Sequence, residues 1–262
     1  MEVIESLQPL LEEPNVILGL DAYGVMYNGD TVFDSIAPLL EYCDQRHIPF
    51  FMMTNNATQS ISHIIQKMAQ FNIHLQPDQV ISSACACYAL DDVRASIAHK
   101  KVYVYGYESA YDYIKTAQGD IVDDPNDASC ILMMSSLNKN NHRVYKRVYD
   151  ALKADPGKVV ICLNPDHYVS YRSSFMQVMG YYAAQMEHQL GLQWQWVGKP
   201  FSTYSRLVET IFKEKNYDGQ HLVFCDDNPF NVQRMVHDLG CRGCVITDTG
   251  IYQKYTYFND TD

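Results

Sequence analysis

The stretch Val16–Gly29, V-I-L-G-L-D-A-Y-G-V-M-Y-N-G, constrains the fold more than any other part of the chain. Four to eight apolar residues closed by turn signals read as a buried parallel strand. This run ends in a lone carboxylate, Asp21, and breaks at Gly24. A carboxylate at the carboxyl end of a parallel strand stands where open α/β sheets place their ligands. An Asp there can equally just start a turn, so the meaning of Asp21 depends on the rest of the chain.

The next hundred residues repeat the pattern. After a first strand over Asn15–Leu20, Thr31–Arg46 is helical in pattern, with Ile36, Leu39, Leu40 and Cys43 on one face. Pro49–Met53 is a second apolar strand ending in Thr54-Asn55-Asn56, and Ser60–Phe71 is helical again, with Ile61, Ile64, Ile65, Met68 and Ala69 at helical spacing. This β-α-β-α order is the signature of a parallel sheet. From Val80 a second set begins. It reads as a helix over Ile81–Val93, a strand over Lys101–Tyr105, a helix over Glu108–Thr116, a strand over Ala128–Ser135, a helix over His142–Lys153, a strand over Val159–Leu163 and a helix over Ser173–Leu190. Val197-Gly198-Lys199-Pro200 then resumes the first pattern. A helix over Thr203–Glu214 comes next, then a strand over His221–Cys225 closed by Asp226-Asp227-Asn228-Pro229, a helix over Phe230–Leu239 and a strand over Cys244–Thr247. The expected architecture is α/β, with a parallel-sheet core formed by residues 1–79 and 195–262 and an inserted α/β domain over 80–194.

The bulk numbers agree. The chain has 262 residues, 47% apolar and 19% charged, a globular balance with room for a core and an insert. The formal net charge of −11 disfavours nucleic acid as a partner and suits a divalent cation better than a free polyanion. No apolar run approaches the ~20 residues needed to span a bilayer, so no membrane span is expected. Met1–Leu11 contains Glu2 and Glu5 and does not read as a secretory signal. Of eight Cys, Cys241-x-x-Cys244 forms one knuckle without a second, which does not favour zinc. Reduced thiols and a cytoplasmic location are the expectation.

Four polar clusters stand at strand ends or helix starts: Asp21, Thr54-Asn55-Asn56, Lys199 and Asp226-Asp227. Parallel strands bring such ends to one rim. Carboxylates that share a rim repel unless a cation joins them, and an oxygen-rich set of this kind suits Mg²⁺. Hydroxyl and amide donors at a helix start, with one Lys, suit a phosphate. Taken singly, each cluster has a plainer reading: Thr54 and Asn55 as helix caps, Lys199 as a turn residue, Asp226 and Asp227 as first-turn charges.

Asp21-x-x-Gly24-Val25-x-x-x-Gly29, then T-N-N, then G-K-P, then an Asp-containing loop resemble the haloacid-dehalogenase-like superfamily. The Asn164-Pro165-Asp166 triplet after a strand of the insert resembles its type IIA, NagD-like branch. The resemblance covers nearly the whole chain. It implies a Rossmann-like core, a C2 cap, Mg²⁺ dependence, hydrolysis of a small phosphorylated metabolite through an aspartyl-phosphate, and caps that often pair into homodimers. It assigns Asp21 as nucleophile and metal ligand, the Tyr23 carbonyl as a second ligand, Thr54 and the Asn55 amide to the phosphoryl group beside Asn56, Lys199 to the developing charge, and Asp226 to the metal, with Asp227 as a candidate to replace the acidic ligand missing at Asn231. On the cap, Asp166, His167 and Arg172 would face the substrate; a solvated surface role for Arg172 stays open.

Two positions depart from the family pattern. The family's second Asp of D-x-D is an acid/base, and Tyr23 stands in its place; a phenol with a reference pKa near 10 is a poor base at neutral pH. Asn231 stands where a further Asp is usual, and Cys225 where a Gly is usual. Two functions therefore stay in view: a slow Mg²⁺-dependent phosphatase, and an impaired relative that binds a phosphorylated ligand or a protein partner. A dinucleotide oxidoreductase is disfavoured, because no G-x-G-x-x-G comes after the first strand.

Overall fold

The computed structural model describes residues 6–136, 141–171 and 174–250. Its strands in chain order are β1 (Ile17–Leu20), β2 (Tyr27–Asn28), β3 (Thr31–Val32), β4 (Phe50–Thr54), β5 (Val80–Ser82), β6 (Lys101–Tyr105), β7 (Asp120–Ile121), β8 (Cys130–Met133), β9 (Val159–Cys162), β10 (Tyr168–Tyr171), β11 (Ser174–Gln177), β12 (Gln195–Trp196), β13 (Leu222–Asp226) and β14 (Arg242–Val245). The α-helices are α1 (Gln8–Leu11), α2 (Ile36–Gln45), α3 (Ile61–Gln70), α4 (Ala86–Ala89), α5 (Asp91–Ala95), α6 (Tyr111–Thr116), α7 (Asn141–Ala154), α8 (Met179–Leu190), α9 (Ser202–Glu214) and α10 (Pro229–Leu239).

The core sheet runs β14-β13-β1-β4-β5 with every neighbouring pair parallel. Strand β1 is central: Leu20 is level with Cys225 on one side and with Met52 on the other. The chain leaves β1 toward β4 and returns on its other flank as β13, so a topological switch point lies at the carboxyl end of β1. The second sheet runs β12-β9-β8-β6-β7, again all parallel. The expectation of an α/β protein with a parallel core and an α/β insert holds.

Three details differ from the sequence reading. The boundaries expected at 79/80 and 194/195 both move, because β5 pairs with β4 in the core sheet and β12 pairs with β9 in the cap sheet. The single helix expected over Ile81–Val93 is a strand, a 3-10 turn (Ser83–Cys85) and two short helices. The first part of the helix expected over Ser173–Leu190 is instead β11, which pairs antiparallel with β10 before α8 begins at Met179.

Both faces of β1 are covered. Leu18 and Leu20 join Val223, Met52 and Met68 on one face, and Ile17 joins Phe51, Met53 and Phe224 on the other. Each fully buried side chain of this size contributes about 1.5–3 kcal/mol. The second of these clusters continues through Cys85, Leu90 and Val93 to Val104 and Leu132 of the cap sheet. Cap and core thus share one apolar seam, and residues 83–97 are packed between the two sheets. Among the described residues no helix is long and apolar enough to cross a membrane.

Candidate active site

Asp21 comes directly after β1, and its backbone N–H donates to the Cys225 carbonyl at 2.8 Å, extending the β1–β13 ladder by one residue. Its side chain is buried at the rim. Lys199 reaches the same rim from the chain that returns out of the cap. Its Nζ lies 2.5 Å from Asp21 Oδ1, 2.7 Å from Asp226 Oδ2 and 2.8 Å from the Met53 carbonyl. All three donors of the ammonium are therefore placed, with the whole residue only 1% exposed. Burial alone would lower Lys199, but Asp21 and Asp226 outweigh it and keep the ammonium charged. Burial pushes the Asp21 carboxyl up, Lys199 opposes this, and Asp226 and Asp227 add to it; the balance lies well above the usual carboxylate range.

The T-N-N turn after β4 closes one side. Thr54 Oγ1 accepts from the Asn56 N–H, and Asn56 Oδ1 accepts from the Thr58 N–H. The Asn55 side chain makes bonds that the sequence did not disclose. Its Oδ1 accepts from the Lys199 N–H at 2.7 Å, while its Nδ2 donates to the Lys199 carbonyl and to Asp166 Oδ1, each at 2.9 Å. That side-chain amide is committed to fixing the lysine backbone and a cap carboxylate.

The third wall is the loop after β13. Asp226 is fully buried; its Oδ1 accepts from the Asn228 N–H at 2.8 Å, and both its oxygens accept from Asn231 Nδ2 at 3.1 Å. Asn228 in turn caps α10, whose first residue is Pro229. Ligand oxygens of Asp21, Asp226 and Asp227 lie within 4.8 Å of one another. Asp227 is seated against two glycines with positive φ: a Cβ on Gly24 would come within 2.5 Å of Asp227 Oδ2, and one on Gly250 within 2.0 Å. Thr249 Oγ1 ties the two segments by donating to the Gly24 carbonyl. Asn231 Oδ1 is buried and has no hydrogen-bond partner among the described residues. An orphaned carbonyl oxygen costs about 1–3 kcal/mol unless something electropositive meets it. Three carboxylates, one ammonium and that oxygen form a hard set with oxygen as its only ligand atom and surplus negative charge, which fits a divalent cation of the Mg²⁺ type.

A cavity of about 260 Å³ opens over these groups, lined by Asp21, Thr54, Asn55, Asn56, Lys199, Asp227 and Asn231 from the core and by Asn164, Asp166, Tyr168, Val169 and Val178 from the cap. Tyr23 lines it too, and its hydroxyl accepts from the Gly29 N–H at 2.9 Å. Tyr27 and Lys67 belong to the same lining, with the Lys67 ammonium 4.2 Å from the Tyr27 ring centroid. Burial lowers the Lys67 pKa, against the field of Asp30. Sequence reasoning missed Lys67, although it sits three residues after Ile64 on the inner side of α3, where a charge is out of pattern. It also missed Thr249 and Gly250. His167 does not join the cavity: it is exposed and packs edge-on against Tyr168 and Tyr181. Arg172 lies outside the described residues.

Known proteins resemble this chain in sequence and in fold. Residues 18–119 match the family model described as haloacid dehalogenase-like hydrolase. The chain is 27% identical to an acid sugar phosphatase of Staphylococcus epidermidis over 183 residues, 69% of this chain and 68% of that one. A possible sugar phosphatase of Cytophaga hutchinsonii superposes with a TM-score of 0.79 at 17% identity, covering 94% of this chain and 88% of that one. NagD of Escherichia coli superposes with a TM-score of 0.72 at 18% identity, covering 89% and 88%. Over residues 18–119 the chain is similar to haloacid dehalogenase-like hydrolases, and its fold, a parallel-sheet core with an inserted α/β cap, is NagD-like.

Proposed function

We propose that the chain hydrolyses small phosphomonoesters, with Asp21 as the nucleophile. The observation that carries this reading is the buried Lys199 ammonium bridging Asp21 and Asp226 beside the T-N-N turn. Phosphoryl transfer demands little beyond a positioned nucleophile and compensation of the charge on the transferring oxygens. Relatives named acid sugar phosphatase and a structural neighbour named p-nitrophenyl phosphatase, from Archaeoglobus fulgidus, support the same class.

In this reading the phosphoryl oxygens lie against Thr54, the Asn55 backbone N–H and Lys199. An Asp21 oxygen attacks phosphorus, the bond to the leaving oxygen breaks, and water then cleaves the aspartyl-phosphate to regenerate Asp21. Asp21, Asp226, Asp227 and Asn231 Oδ1 would hold Mg²⁺, which when bound supplies neutralisation of the phosphoryl charge. Asn231 brings no charge of its own, so Asp227 joins Asp226 as the second acidic ligand from this loop. The cavity accepts a small leaving group. Tyr27 and Lys67 would flank it from the core, and Tyr168, Val169 and Val178 from the cap.

The second reading, a site that holds a phosphorylated ligand without turning it over, draws on Tyr23, whose hydroxyl is tied to Gly29. Phosphate release from a panel of phosphomonoesters with Mg²⁺ separates the two. Turnover that Asp21→Asn abolishes supports hydrolysis; ligand binding with no release from any ester supports the binding reading.

A further inference from the structure

The site as built has a nucleophile and a charge clamp, but a phenol at Tyr23 is poorly suited to the proton transfer that ester cleavage needs. Its hydroxyl accepts the Gly29 N–H, and a phenol transfers protons poorly near neutral pH. The cavity offers few replacements. The carboxyls that line it are Asp21, Asp227 and Asp166. Asp21 and Asp227 belong to the acidic cluster around the candidate cation site. Asp166 does not; it comes from the cap and stands apart from that cluster.

Asp166 is fixed through both its backbone and its side chain. Its backbone N–H donates to Asn164 Oδ1 at 3.2 Å, and its carbonyl accepts from the Gly180 N–H at 3.0 Å. The preceding residue is clamped on two sides by glycines: a Cβ on Gly180 would come within 2.1 Å of the Pro165 carbonyl oxygen, and one on Gly198 within 2.6 Å of Pro165 Cδ. Oδ1 of Asp166 accepts from Asn55 Nδ2, and the same Asn55 amide fixes the Lys199 backbone. One side chain therefore sets the spacing between the charge clamp and the cap carboxyl. Burial pushes the Asp166 carboxyl up to about 6, against Asn55 and Lys199, with Asp226 adding to the rise. A group poised there can both hold and release a proton at working pH.

We propose that Asp166, on the cap, is the general acid/base of the reaction, replacing the carboxylate absent at Tyr23. The proposal rests on the hydrolytic reading of the site. As Asp21 attacks phosphorus and the phosphorus–leaving-oxygen bond breaks, protonated Asp166 gives its proton to the leaving oxygen, releasing an alcohol and leaving a carboxylate. That carboxylate then takes a proton from water as the water oxygen attacks phosphorus. The bond between Asp21 and phosphorus breaks, inorganic phosphate departs, and Asp166 is protonated again. Chemistry then needs core and cap together, because each supplies one catalytic carboxyl.

Asp166→Asn tests this, since it keeps an acceptor for Asn55 Nδ2 and removes only the proton transfer. Two substrates are compared with Mg²⁺ present: a sugar phosphate, whose alkoxide leaving group needs a proton, and p-nitrophenyl phosphate, whose nitrophenolate does not. The variant should lose about 10²–10⁴ in kcat on the sugar phosphate. With p-nitrophenyl phosphate it should release about one nitrophenolate per enzyme at near wild-type rate and then stall, because the second step lacks its base. An equal loss on both substrates in the first turnover, or no loss on either, would overturn the proposal, as would a leaving-group-dependent loss that tracks Tyr23→Phe instead. Asp21→Asn serves as the control for the underlying reading: if it still releases phosphate, the hydrolytic mechanism fails whatever Asp166 does.

Discussion

The Tyr23 hydroxyl and the Gly29 backbone N–H are hydrogen-bonded at 2.9 Å, which ties the residue two positions after Asp21 to the turn between β2 and β3. Tyr23 also packs edge-on against Tyr27, with ring centroids 5.3 Å apart. A residue that reads in the sequence as a lost catalytic acid is, in the structure, a strut holding the hairpin against the rim. Tyr23→Phe should cost about 0.5–1.5 kcal/mol of stability by orphaning the Gly29 N–H, and should lower turnover less than tenfold. Urea denaturation paired with steady-state kinetics checks both. A loss of turnover beyond a hundredfold with unchanged stability would return Tyr23 to a chemical role.

Lys199 holds Asp21 and Asp226 together in a buried triad. Removing one partner of a buried ion pair leaves uncompensated charge and costs about 3–5 kcal/mol. Lys199→Met should therefore lower the denaturation midpoint sharply in the absence of divalent cation. Saturating Mg²⁺ should restore part of the loss, since the cation then meets the same carboxylates. Equal destabilisation with and without Mg²⁺ would argue against a shared ion site.

Mg²⁺ itself should stabilise the folded chain. A ligand at about a hundredfold its Kd adds about 2.7 kcal/mol. Thermal unfolding in a Mg²⁺ titration should show a rising midpoint for the wild type, none for Asp226→Asn, and a rise needing higher Mg²⁺ for Asn231→Ala, whose orphaned Oδ1 is gone. An Asn231→Ala response identical to wild type would remove that oxygen from the site.

The elevated Asp166 carboxyl makes stability depend on pH in a defined direction. Its folded value is about 6, set by burial and Asp226 against Asn55 and Lys199, while the unfolded value is about 3.9. Between those values the folded state holds more of the proton, so this contribution to stability falls as pH rises from about 4 to about 6 and is flat on either side. Asn at 166 lacks the titration. Urea melts at a series of pH values should show wild type losing stability relative to Asp166→Asn as pH rises across that window; a constant difference would contradict the elevated carboxyl.

Lys67 lines the cavity with its ammonium over the Tyr27 ring. A charge-assisted hydrogen bond to a leaving-group carboxylate is worth about 1.5–3 kcal/mol. Lys67→Met should raise KM roughly tenfold to a hundredfold for esters bearing such a carboxylate, and much less for neutral sugar phosphates. Equal effects on both kinds would mean that Lys67 only packs on Tyr27.

The rim was legible in the sequence because strand ends carry their own signals. Asp21, Thr54, Lys199 and Asp226 each end an apolar run or open a helix, and parallel pairing brings them together. The features that stayed hidden have two physical sources. Strands β10 and β11 are only four residues each, about one helical turn, so β11 reads in the sequence as the start of the helix over Ser173–Leu190 and β10 carries no strand signal of its own. The Asn55 bonds to Lys199 and Asp166 join positions 144 and 111 residues away, and no local pattern encodes such a contact. The same blindness placed His167 at the site and left out Lys67, Thr249 and Gly250.

The most direct measurement is a search for the covalent intermediate. Wild-type enzyme turning over p-nitrophenyl phosphate with Mg²⁺ is quenched in acid, digested, and its peptides weighed by mass spectrometry. The peptide carrying Asp21 should bear a hydroxylamine-labile phosphoryl group on that residue, absent from Asp21→Asn. Phosphate release with no adduct on Asp21, or with an adduct on another side chain, would contradict the assignment of Asp21 as nucleophile.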